Sequence, residues 1–493
     1  MFKKWSRWEI VLLVASIVLF LATRLYHLQA KFWPMFTDEA IYVHWAQQGF
    51  FEPAMRLTSL SDGKQPLFIW FVSLAMNWIG NPLLAGRLVS VASGIVTLWG
   101  LYLLTLELFK KRITGLIAVW LYVFWPLAVI HNRFALFETL TGTFFVWGLY
   151  LSVILARQLK TETALELGLV FGGGMLTKTS GFVSLSLLPT TILFLERIPK
   201  NIFRWILLLV ITSGLGLVYY AILLLSPDFG FINAKNTIFL YNVPEVLGRQ
   251  FFTIFFRNLS RFIPWVFSYF SWPWVILALL SVFLKRSRKE TFFLWLSFLL
   301  PFFALAALGK LVYPRYLFFF SLALLPLIAE TLVWIKDVFR ADKTSYLLIA
   351  LSFIFAGFAD YKILTDFARA PIPSIDLFQY VNGWPAGGGV KEIVDFLQKE
   401  ANKGLIYVYT EGVYGSLPTT ALDIYFRDEG HIKHRSFSDI PESVPQEILA
   451  SAQKAPVYIV FNQTQKPPKW PISLVAHYQK GTGNWYISLY RLK

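Results

Sequence analysis

Eleven apolar runs separated by short polar loops fill most of the first 360 residues, and they restrict what this chain can fold into. A membrane-spanning helix needs about 20 mostly apolar residues. Hydrophobic residues make up 56% of the 493 residues and charged residues only 15%, an excess that a soluble domain cannot bury. We expect a mainly α-helical, polytopic membrane protein with about eleven spans. The runs are 8–28, 83–109, 113–130, 139–156, 165–176, 182–195, 205–225, 262–284, 292–308, 316–335 and 345–358.

The basic residues predict the orientation of these spans, because clusters of Lys and Arg favour the cytoplasmic side. All the clusters face the cytoplasm only if the short run 66–79 does not cross, so we interpret it as a juxtamembrane helix in an outer loop of residues 30–82. The N-terminus is then cytoplasmic and the C-terminus extracytoplasmic. The clusters are Lys3/Lys4/Arg7, Lys110/Lys111/Arg112, Arg157/Lys160, Arg197/Lys200/Arg204, Lys285/Arg286/Arg288/Lys289 and Lys336/Arg340/Lys343.

The composition excludes several classes of protein. The net charge of +16 does not indicate nucleic-acid binding, because the basic residues are spread over short loops and favour contact with anionic membrane lipids. The chain has no cysteine, which excludes disulfides, thiolate metal sites and cysteine nucleophiles. Residues 1–28 begin like a signal peptide, but the long run lacks a convincing cleavage site. We therefore expect a retained first span in the cell membrane.

The composition becomes more polar after residue 360, where prolines and the run Gly387–Gly389 mark loops. Helical patterns cover 391–401 and 419–427, and strand patterns cover 405–410, 457–461 and 485–491. We divide the chain into a transmembrane module of residues 1–360 and a small extracytoplasmic α/β domain of residues 361–493. The glycine run lacks the strand and spacing of a phosphate loop, so we interpret it as a turn before a helix. The expected role of this domain is acceptor recognition or covering the active site.

The predicted orientation brings to one face a set of polar residues that are far apart in sequence. Charged groups at apolar helix ends are costly unless they are paired or hydrated, so the set predicts a shared polar cavity. For any single Lys or Arg, anchoring a helix at the interface is the alternative. The set is Asp38, Glu39, Lys64, Arg87, His131, Arg133, Glu138, Lys178, Tyr313 and Arg315.

A carboxylate and several cations at a membrane surface suit the transfer of a sugar from a lipid phosphate. The transfer needs a base to take a proton from the acceptor nucleophile, and Asp38 or Glu39 can supply it. It also needs cations that neutralise the leaving phosphate. Arg suits bidentate phosphate contact, whereas Lys acts as a point charge. The candidate cations are Lys64, Arg87, Arg133, Lys178 and Arg315.

Structural roles compete with function at several of these positions. Asp38 could cap the helix that follows it, and Lys64 could extend to the interface as an anchor. Glu39 could orient Asp38, bind acceptor or metal, or favour a helix N-terminus. Lys178 could simply pair with Glu138.

Three further members of the set have structural alternatives of their own. His131 could cap a helix, Arg133 could be structural, and Tyr313 could belong to an aromatic belt at the interface. His131 with two glutamates could form a metal site, but no spacing supports one, so no metal ligand is predicted. No cofactor is certain, and dependence on a divalent metal stays open.

Six short motifs, in this order, resemble those of GT-C glycosyltransferases of the protein O-mannosyltransferase family and its bacterial relatives, which include the lipid A aminoarabinose transferases. Asp38-Glu39-Ala40 resembles the Asp-Glu motif of the first outer loop. Asp62-Gly63-Lys64-Gln65-Pro66-Leu67 resembles a Lys-Pro-Pro-Leu element that opens a juxtamembrane helix. The resemblance covers about the first 335 residues. The other four motifs are Arg87 with Ser90 and Gly94, His131 to Glu138 (compared with Ser-Arg-x-x-x-x-Asp), Leu176-Thr177-Lys178 (compared with Leu-Thr-Lys-Gly) and Tyr313-Pro314-Arg315-Tyr316 (compared with Tyr-x-Arg-Tyr).

This resemblance implies a GT-C fold and a mannosyltransferase-like hexosyl- or pentosyltransferase that uses a polyprenyl-phosphate monosaccharide outside the cytoplasm. It implies that Asp38 is the catalytic base and that Lys64, Arg87 and Arg315 contact the donor phosphate. Glu138 departs from the family's usual Asp, which keeps a carboxylate but changes its reach. The C-terminal domain does not resemble the β-trefoil of eukaryotic members, so the acceptor can be a glycan, a lipid or a protein.

Two other functions compete with transfer. A transporter or flippase of lipid-linked sugars would use the same cations, but it should show matched broken spans or repeats in its two halves, and we find neither. A membrane-anchored receptor would leave the intramembrane cations unexplained.

Overall fold

The computed structural model describes residues 5–246, 251–338, 343–412, 416–437 and 439–493. Of the predicted basic clusters, Lys3, Lys4 and Arg340 lie outside the described residues. The helices up to residue 365 are α1 Arg7–Leu25, α2 Thr37–Phe51, α3 Leu67–Ala75, α4 Pro82–Phe109, α5 Arg112–Val123, α6 Pro126–His131, α7 Phe137–Gln158, α8 Thr161–Thr177, α9 Phe182–Leu187, α10 Ile198–Tyr220, α11 Phe231–Phe239, α12 Val243–Val246, α13 Phe251–Leu280, α14 Arg288–Leu308, α15 Phe318–Ser321, α16 Leu324–Val338 and α17 Lys343–Thr365.

Within the described ranges, seven helical segments are long and apolar enough to cross a membrane. A helix pair bent by 57°, Pro314–Ser321 with Leu324–Val338, is an eighth candidate. The chain is thus a multi-pass membrane protein. The seven segments are Arg7–Leu25, Pro82–Phe109, Phe137–Gln158, Ile198–Leu225, Phe251–Phe283, Lys285–Leu308 and Leu347–Thr365.

Each of the eleven predicted runs coincides with helical structure, but several of these helices are short or broken. Pro126 begins α6 immediately after α5 ends, and a 3-10 helix that includes Pro189 follows α9. Proline interrupts the backbone hydrogen bonding of a helix, which explains why these apolar runs are divided. The count of about eleven spans therefore stays a prediction.

The short apolar run 66–79 contains helix α3. Helix α3 has nine residues, and at about 1.5 Å per residue it extends for about 14 Å. The hydrocarbon core of a bilayer is roughly 30 Å thick, so α3 is too short to cross it. The outer loop also contains α2, whose first turn carries Asp38 and Glu39.

Small residues allow the central helices of the bundle to pack closely. Helix α4 packs against α5 and α7, and α8 packs against α10. A Cβ atom added to Gly148 of α7 would lie 2.8 Å from the ring of Phe171 in α8. Glycine at this crossing keeps the two helix backbones together, as is common in membrane bundles.

The C-terminal region forms a five-stranded sheet with helices beside it. The strand order is β2-β1-β3-β5-β4; β1 pairs in parallel with β2 and β3, and β5 pairs antiparallel with β3 and β4. Gly389 has a φ of +86° and lies directly before α19, as expected for a turn at a helix start. The elements are α18 Ser374–Leu377, α19 Val390–Ala401, β1 Ile406–Glu411, α20 Leu417–Phe426, β2 Ile432–Phe437, α21 Gln446–Ala452, β3 Val457–Phe461, β4 Ile472–Gln479 and β5 Tyr486–Leu492.

This domain lies directly on the outer loop. Helix α20 packs against α2, and Gln47 Nε2 donates to the carbonyl of Ile424 over 3.2 Å. Phe36, the residue before α2, forms an antiparallel bridge with Ala386. The helix that begins with Thr37, Asp38 and Glu39 is therefore held between the transmembrane bundle and the C-terminal domain.

Candidate active site

A cavity of about 980 Å³ lies where the outer loop, the helical bundle and the C-terminal domain meet. One part of its wall is polar and includes three carboxylates, those of Asp38, Asp62 and Glu138, and four cations. Another part is apolar and belongs to the end of α14 and to α11. The polar part holds Asp38, Asp62, Glu138, Lys64, Lys178, Lys235 and Arg315, and the apolar part holds Phe239, Leu240, Pro301, Ala304, Leu305, Leu308 and Leu311.

Asp38 faces this cavity from the first turn of α2. Its side chain is 29% exposed and forms an ion pair of 2.8 Å with Nη2 of Arg315. The N-cap of α2 is Phe36, so Asp38 does not occupy the capping position. The guanidinium of Arg315 also lies over the ring of Tyr313, 5.3 Å from its centroid, and its Nε has no hydrogen-bond partner among the described residues. Asp38 is thus a reachable carboxylate held by one cation.

Glu39, the next residue, lies in a different environment. It forms a bidentate ion pair with Arg87, with two bonds of 2.8 Å, and both side chains are fully buried. The backbone amides of Ala135 and Phe36 also donate to the Glu39 carboxylate. Arg87 uses its remaining nitrogen to bind the carbonyls of Leu28 and Trp33. Neither Glu39 nor Arg87 lines the cavity.

A second ion pair, formed by Glu138 and Lys178, also lines the cavity. Glu138 lies in the first turn of α7 and accepts a hydrogen bond from Nζ of Lys178 over 2.8 Å. Lys178 is the residue directly after α8. The Lys178 ammonium also lies 5.0 Å from the ring centroid of Tyr316. The structure therefore shows the Glu138 pairing that the sequence offered as an alternative, and it places this pair inside the cavity.

Two further lysines, Lys64 and Lys235, complete the polar wall. Lys235 of α11 pairs with Asp62 over 2.6 Å. Lys64 lies 5.1 Å from the ring centroid of Phe239 and forms no ion pair with any residue that the structure describes. Burial lowers the pKa of the Lys64 ammonium to about 8, although the nearby Asp38 carboxylate opposes this shift. Lys64 is thus available to an anion that enters the cavity.

Two other predicted residues lie outside the cavity wall. Arg133 stacks on the ring of Trp33, 4.3 Å from its centroid, and donates to the carbonyl of Thr23 over 2.6 Å. His131 is buried, with its ring beside that of Tyr380. Neither nitrogen of His131 has a hydrogen-bond partner in the described part of the chain.

The structure thus divides the predicted set in two. Six members meet at the cavity, namely Asp38, Lys64, Glu138, Lys178, Tyr313 and Arg315, and four lie away from it, namely Glu39, Arg87, His131 and Arg133. Sequence reasoning missed Lys235 and the pair Trp384–Pro385, which also line the cavity. Across the described ranges, no group of three or more His, Asp or Glu residues could hold a metal ion.

Comparisons with known proteins give the fold an independent basis. Residues 63–221 match the family described as dolichyl-phosphate-mannose-protein mannosyltransferase. The apo structure of ArnT from Cupriavidus metallidurans is similar with a TM-score of 0.58 and 14% identity, over 98% of this chain and 97% of that chain. The structure of the same protein bound to undecaprenyl phosphate is similar with a TM-score of 0.57 and 13% identity, over 98% of each chain. No curated protein sequence matches the chain.

A third solved structure is also similar. The archaeal oligosaccharyltransferase AglB from Archaeoglobus fulgidus, in complex with an inhibitory peptide and a dolichol-phosphate, gives a TM-score of 0.54 and 13% identity. The match covers 92% of this chain and 69% of that chain. These likenesses confirm the predicted GT-C fold and the resemblance to this group of membrane glycosyltransferases.

Proposed function

We propose that this multi-pass protein with the GT-C fold is a glycosyltransferase that moves a monosaccharide from a polyprenyl-phosphate donor to an acceptor on the extracytoplasmic side. The observation that carries the proposal is the cavity, in which Asp38 faces several cations beside an apolar wall. A polyprenyl phosphate needs both surfaces, because its phosphate is anionic and its chain is apolar. Two of the similar structures hold undecaprenyl phosphate and dolichol-phosphate, which supports this class of ligand.

Asp38 acts as the general base in this proposal. It takes a proton from the acceptor nucleophile, which forms a bond to the anomeric carbon while the bond from that carbon to the phosphate oxygen breaks. The bonding electrons leave with the phosphate. A positioned base typically contributes about 10²–10⁴-fold to a rate, so positioning and charge stabilisation must supply the rest.

Arg315 is suited to contact both the base and the donor. Its Nη2 holds Asp38, and the residue lines the cavity, where its positive charge attracts a phosphate. Lys64 supplies a point charge that forms no ion pair with a carboxylate of the described residues. As negative charge grows on the leaving phosphate, these cations stabilise the transition state more than the ground state.

The test uses the purified full-length protein in proteoliposomes that contain undecaprenyl-phosphate ¹⁴C-hexose or ¹⁴C-pentose, with lipid and protein fractions of the source membranes as acceptors. We expect label to leave the donor and free undecaprenyl phosphate to accumulate, and we expect neither with Asp38→Asn. The proposal is wrong if every donor stays intact. Movement of intact donor between leaflets would instead identify a flippase.

A further inference from the structure

We propose that Lys480, in the C-terminal domain, is a positioning residue for Asp38 and acts through the segment 384–386. The proposal rests on Asp38 being the base of the proposed transfer. It gives the C-terminal domain a role in building the active site, in addition to any role in recognising the acceptor.

The first step is the joint between this segment and α2. The amide of Thr37 donates to the carbonyl of Pro385 over 3.1 Å, and the Thr37 hydroxyl donates to the same oxygen over 2.9 Å. Phe36 forms its bridge with Ala386 immediately beside them. Asp38 follows Thr37 directly, so the position of Pro385 fixes the start of the helix that presents the carboxylate to the cavity.

The second step is what holds Pro385 itself. The fully buried Lys480 donates from its ammonium to the carbonyl of Trp384 over 2.9 Å and to the carbonyl of Ala386. These carbonyls flank the one that Thr37 uses. The segment lies outside any helix or strand, so its buried carbonyls need donors from elsewhere, and an ammonium has three N–H groups to offer.

The third step is the support behind Lys480 and Trp384. The side-chain amide of Asn462, just after β3, donates to the Trp384 carbonyl over 3.0 Å. The Glu411 carboxylate accepts from the amides of Asn462, Gln463 and Thr464, which fixes the loop that carries Asn462. The connection therefore runs from the sheet of the C-terminal domain, through the segment 384–386, to Thr37.

A buried lysine is an unusual choice if only packing is needed. Moving an ammonium out of water is costly unless hydrogen bonds compensate, and Lys is almost never fully buried without a partner. Lys480 finds its compensation in the Trp384 and Ala386 carbonyls, and both Trp384 and Pro385 line the cavity. We infer that this arrangement holds the cavity wall and the start of α2 together.

The test compares wild type with Lys480→Met in the full-length protein in nanodiscs, with Lys454→Met, an exposed lysine of the same domain, as the matched control. Hydrogen exchange measured by mass spectrometry should become about tenfold faster or more at the Thr37 amide in Lys480→Met, with the exchange of α7 unchanged. In the transfer assay, we expect kcat to fall about tenfold while the donor KM stays within about twofold. Lys454→Met should match wild type in both measurements.

A folded Lys480→Met protein with wild-type exchange at Thr37 and wild-type kcat would overturn the inference. If Lys480→Met does not fold, Thr37→Val decides instead, because it removes only the hydroxyl bond to Pro385; a lower kcat supports the inference and an unchanged kcat overturns it. If both single variants fold, the double variant should lose less than the sum of their effects. If wild type transfers no sugar at all, the proposed function fails, and hydrogen exchange still tests the connection.

Discussion

Asp38 and Glu39 are neighbours with the same functional group, yet the fold gives them opposite environments. Asp38 is 29% exposed and has one cation, whereas Glu39 is fully buried and accepts bonds from a bidentate arginine and two backbone amides. A carboxylate whose lone pairs are all occupied cannot take a proton from a substrate without breaking those bonds. A carboxylate that faces an open cavity can take such a proton.

The comparison extends to their arginines. Arg87 donates to Glu39 and to the carbonyls of Leu28 and Trp33, so it links α2 and the segment after α1 to α4. Arg315 holds Asp38 and keeps one nitrogen without a partner among the described residues. A saturated pair stabilises the fold, and an unsaturated pair next to it is available for chemistry. Four changes test this division, in order of decreasing effect.

The largest effect is expected at Asp38. Asp38→Asn should lower transfer by about 10²–10⁴-fold, because it removes the base but keeps the shape of the side chain. Undecaprenyl phosphate binding and the melting temperature should stay close to wild type. Transfer at the wild-type rate by this variant in proteoliposomes would show that Asp38 is not the base.

Glu39→Gln should act on stability instead. It leaves Arg87 as an uncompensated buried charge, a change that typically costs about 3–5 kcal/mol. We expect a lower yield and a clearly lower melting temperature in detergent, while the molecules that remain folded still bind undecaprenyl phosphate. A melting temperature equal to that of wild type would contradict a structural role for this pair.

Arg315→Gln should weaken undecaprenyl phosphate binding by about 1.5–3 kcal/mol, or roughly 10–150-fold, because it removes a charge-assisted hydrogen bond. Arg56→Gln, at an exposed position of the loop 30–82, is the control and should bind normally. The affinity can be measured by microscale thermophoresis in detergent. Equal affinities for the two variants would remove Arg315 from the phosphate site.

The smallest effect is a pH dependence from Lys64. Burial lowers its pKa to about 8, so the ammonium is present at pH 7 and is lost as the pH rises through 8. Undecaprenyl phosphate affinity should therefore fall about tenfold between pH 7 and 9, since the second ionisation of a phosphate, near 6, is already complete.

The matched control for this pH dependence is Lys64→Arg, which keeps its charge over the same range. Its binding should change little between pH 7 and 9. A wild-type profile that is equally flat would mean that Lys64 does not contact the phosphate.

The sequence predicted that polar groups far apart in the chain meet at one cavity, but it did not predict which of them are buried away from it. Loop charges and motif order placed Asp38 with Arg315 correctly at one cavity. Besides Glu39, Arg87 binds the carbonyls of Leu28 and Trp33, and these groups come together only when the chain folds. No local pattern reports such contacts.

Long-range pairing also explains what was missed at the site. Lys235 is a single lysine in a short helix, and its partner Asp62 lies 173 residues earlier in the chain. The available signal was a cation on the predicted outer face in an otherwise apolar segment, the same signal that identified Lys64. Lys235 belongs to none of the recognised motifs, so it was not among the predicted site residues.

In the C-terminal domain, the sequence predicted the helices and strands that have a clear pattern of buried apolar residues. It did not predict the strands whose side chains are largely exposed. Helix α19 buries Ile393, Val394 and Leu397 at helical spacing, and strand β3 is buried along its whole length. Strands β2 and β4 form the two edges of the sheet, where many side chains are exposed, so their sequences lack a clear alternation.

The bridge between Phe36 and Ala386 has a consequence for the order of biosynthesis. Asp38 is translated near the beginning of the chain, whereas Lys480 is translated near its end. At about 5–20 residues per second, the ribosome reaches Lys480 roughly 20–90 s after Asp38. The nascent protein therefore inserts its first helices before the segment 384–386 can contact α2, and the cavity is completed only when the C-terminal domain folds onto that helix.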